Sequence, residues 1–221
     1  MSPNEDLDEQ PLDNWLMETD EQQQAVEDLR LFTELLTRIA SDRFYWRWAL
    51  MVLHHAHQSF MVCALRGSDG LAPLTAKSAE KELAFIRAGH KGQPPALRLA
   101  NYSELFEKSQ GSLMERTTIG RRYTPDEDHR DSVIALGAWR DKFMHYQPQG
   151  WLVPVIEFPE ISLHVLDAIA YLVDESGTIH FDEEANVLMY RQYLQSAQQL
   201  CRELYKRYVE QMNAEEPEID A

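Results

Sequence analysis

WRWALMVLHHAHQSFMVCAL, residues 46–65, is the stretch on which the fold turns. It is the most apolar run in the chain and has the length of a membrane span. Arg47, His54, His55, His57 and Gln58 interrupt it. A span through hydrocarbon needs about 20 predominantly apolar residues with few or no charges. The other reading is a helix apolar on nearly every side, which neighbours cover in the middle of a bundle or a second subunit covers at an interface. The run therefore predicts a central helix over 42–66 and no membrane association.

Helical periodicity continues on both sides. Residues 21–40 place Val26, Leu29, Phe32, Leu35, Leu36 and Ile39 at helical spacing. GSDGLAPL, 67–74, and AGHKGQPP, 88–95, break the chain on either side of a helix over 76–88. NYSE, 101–104, sets an N-cap three residues ahead of a glutamate and opens a helix to about 114. TPDE, 124–127, is the clearest start signal: Thr124 caps, Pro125 takes the first helical position and Glu127 reaches back. That helix runs over 125–146 with Val133, Leu136, Ala138, Trp139, Phe143 and Met144 on its apolar face, until Pro148 and Gly150 end it. WLVPVIEF, 151–158, is extended, and Pro154 limits it to a loop or an edge strand, at most a short ribbon with TIHF, 178–181. Helices over 160–175 and 183–212 complete the chain. The last carries Leu188, Tyr190, Leu194, Ala197, Leu200, Cys201, Leu204, Tyr205 and Tyr208 near one face. The sum is an all-α single bundle of six to seven helices over 21–212.

Composition narrows the function. The net charge is −16, which disfavours a protein that coats nucleic acid non-specifically, because phosphate binding needs Lys and Arg. Residues 1–20 hold seven acids and no base, and read as a disordered acidic tail; 213–221 reads as a second one. Residues 77–142, in contrast, hold twelve Lys/Arg against ten Asp/Glu, so a local anion site is allowed there. Two distant cysteines, Cys63 and Cys201, argue for a reducing compartment, and the N-terminus lacks the pattern of a secretory signal, so the expected location is cytoplasmic.

Several chemistries lack their residues. No phosphate-loop spacing and no nucleophile elbow occur. His54, His55 and His57 cannot all share one helix face at ~100° per residue, and the di-iron pairing of Glu with His three later is missing. No metal or other cofactor is therefore expected, and a helical-bundle metal protein using these histidines is the third choice among functions. RTTIGRRY, 116–123, puts Arg116, Arg121 and Arg122 in one loop, either as a solvated basic loop or as an RNA-backbone contact.

GAWRDKFMHYQP, 137–148, carries more. Arg140 and His145 are separated by four residues near the end of one helix, with the polar Asp141 directly after the arginine. Arg47 with His54 and Arg122 with His129 form comparable pairs with six residues between, but Trp48 and Tyr123 follow those arginines, and the second pair straddles a helix start. Asp141 and His145, at i and i+4, share a face, so the carboxylate is placed to orient the imidazole. Arg140 lies about 140° round the helix from His145.

The match RDKFMH, late on a long helix of a helical bundle, resembles the HEPN superfamily, whose signature is Arg, four to six residues, then His. The resemblance implies a homodimer in which arginines and histidines of two protomers converge on one phosphate. It also implies metal-independent endoribonuclease activity that leaves a 2′,3′-cyclic phosphate and a 5′-hydroxyl. By resemblance, His145 does acid–base work, Arg140 stabilises the phosphate and Asp141 orients His145. A toxin or defence role with an antitoxin-type partner protein is common in that superfamily. The alternative from another class is a non-catalytic helical dimerisation or interaction module built on the 42–66 helix.

Overall fold

The apolar run does form the central helix of an all-helical bundle. The computed structural model describes residues 19–145, 148, 150–181 and 183–215. Seven α-helices follow one another: α1, Glu21–Ile39; α2, Tyr45–Arg66; α3, Ala76–Arg87; α4, Tyr102–Ser109; α5, Glu127–Met144; α6, Phe158–Ala170; and α7, Glu184–Glu215. Single 3₁₀ turns occupy Ser112–Glu115 and Val155–Glu157, and a wide π turn, Tyr171–Glu175, continues α6. No strand occurs among the described residues, where one isolated antiparallel bridge joins Leu74 to Leu99. The ribbon allowed at 151–158 and 178–181 does not form, because Val155–Glu157 and the start of α6 take the first segment into helix. No described helix is long and apolar enough to cross a membrane.

The packing follows from α2. It lies against α1, α4, α5 and α6, while α7 closes the far side across α1 and α6. Trp46, Leu50, Leu53, Phe60, Met61 and Leu65 of α2 are all buried. Burying such side chains contributes roughly 1.5–3 kcal/mol each. Phe158, the first residue of α6, is an aromatic hub: Trp46 of α2 and Trp139 of α5 meet it edge-on at centroid distances of 5.5 and 5.1 Å. A buried hydrogen bond from Trp46 Nε1 to Tyr208 Oη, 2.8 Å, ties α2 to α7.

Helix ends show where local signals succeed. Asn101 and Glu104 form the reciprocal capping box of α4. At α5 the cap is Asp126, not Thr124; its carboxylate accepts the His129 N–H at 2.9 Å. An extended carboxylate two residues further on displaces the hydroxyl, and the helix begins at Glu127. The faces also differ in detail. Val133, Leu136 and Phe143 are buried, but Ala138 and Met144 face outward, as do Leu188 and Tyr205 of α7. Residues 1–18 and 216–221, most of the two acidic segments, lie outside the described residues, and α7 continues to Glu215, into the second.

The excursion that carries α3 is peripheral. Ser78 is the one buried residue of that helix. Its two ends meet in a narrow neck, where Thr75 N–H donates to Arg98 O at 3.0 Å and Ala100 N–H donates to Pro73 O at 2.9 Å. Lys108 Nζ holds the near side through the carbonyls of Ala72 and Leu74.

Candidate functional site

The last turns of α5 bring Arg140 and Asp141 to a cavity of about 630 Å³ between α2, α4 and α5. That volume lies within the ~300–1,000 Å³ of small-molecule sites. Its α5 wall runs from Arg130 through Val133, Ile134, Gly137 and Ala138 to Arg140 and Asp141. Gly137 matters for that wall, since a Cβ there would sit 3.4 Å from the Tyr102 ring. The opposite wall is the start of α4, from Asn101 to Glu107, and His54 of α2 also lines the space.

His54 is 4% exposed. Its ring stacks on Tyr102, 3.9 Å between centroids and 28° between planes. Tyr102 is held in turn by a 2.7 Å hydrogen bond between its hydroxyl and His57 Nδ1. Burial pushes both histidines down to a pKa of about 3, with the charges of Arg140, His57 and His55 adding to the effect at His54. Burial also pushes the Tyr102 hydroxyl up, against the pull of Arg140. At neutral pH both imidazoles are therefore uncharged, with one donor and one acceptor nitrogen each.

Arg140 is partly exposed, and its Nη1 donates to Asp141 Oδ1 at 2.6 Å. The carboxylate thus engages its neighbour in sequence rather than His145, as the i,i+4 spacing had suggested. His145 has left the helix, with φ −104° and ψ 69°, and only its main-chain N–H returns to Asp141 O, at 2.9 Å. Its imidazole is exposed, has no side-chain partner among the described residues and does not line the cavity. The structure therefore brings Arg140 and Asp141 together and leaves His145 apart, at the end of α5. Arg47, at the start of α2, donates to Phe143 O at 3.2 Å and so fixes that helix end against the central helix.

The arginine loop lies elsewhere. Arg116 pairs with Asp69 at 3.3 Å and lines a second cavity, and Arg122 Nε lies 3.6 Å from Glu115. The Arg121 main chain donates to Ser176 O at 2.8 Å. None of the three lines the Arg140 cavity. The remaining histidines also separate: His55 is exposed and bonded to Asp28, on the side of α2 away from His54 and His57. Among the described residues no group of three His, Cys, Asp or Glu side chains is close enough to hold a metal.

Sequence reasoning did not connect His54, Tyr102 and Arg130 with Arg140. The signal present was the i,i+3 pair of histidines on one face of an apolar helix; what joins it to Arg140 is tertiary. No family model, curated protein or solved structure matches the chain.

Proposed function

We propose that this chain is a HEPN-like endoribonuclease that works as a homodimer without metal. The observation that carries the reading is the position of Arg140, a guanidinium at a concave cavity of ligand size, five residues before an exposed imidazole that has no side-chain partner among the described residues, at the same helix end. One chain points these two groups in different directions. A second copy abutting the end of α5 supplies the imidazole that the first cannot bring to its own arginine. Exposed Trp48, Met144 and Leu152 near that end offer apolar surface for such pairing.

The chemistry asks little of the protein. An imidazole takes the proton of the ribose 2′-hydroxyl as O2′ bonds to phosphorus. The P–O5′ bond breaks, and an imidazolium returns a proton to O5′. The two copies of His145 fill these two roles, worth roughly 10²–10⁴-fold for a positioned acid or base. Arg140 stabilises the charge that develops on the phosphoryl oxygens. Asp141 holds the guanidinium in place. A toxin or defence role with an antitoxin-type partner fits an enzyme of this kind.

A second reading has its own observation. Asp141 pairs with Arg140, and Glu107 and Arg130 both line the cavity, so its charged side chains sum to zero, which suits a non-catalytic interaction module. Purified protein incubated with a broad RNA panel in excess EDTA separates the two. Cyclic-phosphate ends that fall at least ~100-fold in His145→Ala are expected. No cleavage by either protein, or cleavage indifferent to His145, leaves the interaction module.

A further inference from the structure

The Arg140 cavity contains more recognition chemistry than a single phosphate needs. His54 is its most buried polar side chain, and neither ring nitrogen has a hydrogen-bond partner among the described residues. Stacking on Tyr102 occupies a ring face and leaves the nitrogens at the ring edge free to address the cavity. Because the ring is neutral, it offers one donor and one acceptor. A phosphate can use only the donor, whereas the edge of a nucleobase can use both.

Arg130 is the second feature. Its side chain is exposed and without an ion pair among the described residues. It stands ten residues before Arg140 on the same cavity wall, about 15 Å along the axis at 1.5 Å per residue. The two arginines thus enter the wall at well-separated points along the helix. They match two anions of one extended ligand that lie more than one nucleotide apart. Val133, Ile134, Gly137 and Ala138 line the wall between them. Two carboxylates also line the groove: Glu107, across on α4, and Asp141, which pairs with Arg140 at 2.6 Å and which a phosphate must displace or share that guanidinium with.

We propose that this groove holds a short single strand of RNA along α5, with phosphates at Arg140 and Arg130 and a base between them whose edge hydrogen-bonds to His54. The choice of RNA rests on the ribonuclease reading; the groove, its two cations and its unpartnered imidazole do not. His54 and Arg130 become substrate-contacting residues outside the Arg140–His145 pair. Single-stranded RNA is read in this way, through splayed bases and their edges.

The test uses the full chain and a fluorescent 2′-O-methyl RNA hexanucleotide, which cannot be cleaved through its 2′-oxygen. Binding is followed by anisotropy over a range of salt, and the imidazole signals of His54 by nitrogen-detected NMR. Arg130→Gln should weaken binding roughly tenfold and lower the slope of log K against log salt by about 0.7, the value for one single-strand phosphate contact. The His54 ring signals should shift on binding. Unchanged affinity and slope in Arg130→Gln, unmoved His54 signals, or no binding at all each overturn the proposal. Inorganic phosphate that moves His54 as fully as the hexanucleotide does would reduce the site to a simple anion pocket and overturn it as well. Cleavage of unmodified RNA is scored separately: strand binding without cleavage keeps the groove and removes the nuclease, and cleavage with an indifferent groove does the reverse.

Discussion

Asp126 and Thr124 make opposite predictions at the start of α5. Asp126 accepts the His129 N–H, so Asp126→Ala should lower the urea midpoint, as loss of a helix N-cap does. Thr124→Ala should leave stability within ~0.5 kcal/mol, as for other surface changes. Urea unfolding of the two variants checks this; the reverse order would restore the hydroxyl as the cap. The buried histidines make a second prediction at this scale. Unfolded imidazoles bind protons near pH 6.5, whereas folded His54 and His57 do so only near pH 3. Between those values the unfolded chain holds more protons, so stability falls as pH drops below about 6.5. The slope is at most ~1.4 kcal/mol per pH unit for each histidine. His55 acts in the other sense, because its bond to Asp28 raises its pKa. Its stabilisation is full below the unfolded value and is lost as pH rises through the folded one, a small effect for an exposed pair. Urea midpoints at pH 7.5, 6 and 5 should fall in that order, and His57→Phe should flatten the trend. A level profile would mean that the histidines titrate freely.

At the scale of elements, the end of α6 governs the arginine loop. Gly177 has φ +67°, and a Cβ on it would meet Ile119 O at 2.7 Å. The neighbouring Ser176 carbonyl accepts the Arg121 N–H, and the Tyr171 hydroxyl donates to Arg122 O at 2.8 Å. Gly177→Ala should therefore cost ~1–3 kcal/mol and speed proteolysis within 116–123; wild-type stability in this variant would contradict the close approach. None of this was legible beforehand. Helix existence was, since the apolar repeat of α1, α2 and α7 needs no tertiary information. The α4 cap was also legible, because Asn and Glu at that spacing satisfy each other locally. The cap of α5 was misread, because two oxygen-bearing side chains two residues apart competed and only the backbone path chose between them. The outward turn of Met144 and Leu188 escaped too, since periodicity records hydrophobicity and not what lies opposite.

For the whole molecule, the bundle was written in the sequence and the site only in part. Arg140 and Asp141 were found from a local motif. Their neighbours His54 and Tyr102 come from helices 86 and 38 positions earlier than Arg140, and only the packing of α2 and α4 on α5 unites them. The pairing of two chains makes a prediction of this scale. Light scattering should give twice the chain mass of 25.7 kDa, and a charge placed on the exposed ring surface, Trp48→Glu, should shift it to the single mass. A monomeric wild type would remove the trans arrangement of Arg140 and His145.

The narrow neck below α3 has a use in genetic terms. Its two edges are already hydrogen-bonded to each other, so residues 76–97 form a cassette whose ends meet. Splicing them out and bridging Thr75 to Arg98 with two glycines should leave the melting temperature within about 4 °C, the change that roughly 1 kcal/mol produces in a domain of this size. The same neck would then accept a foreign insert of equal span, which makes it the natural place to graft a reporter without touching the groove along α5.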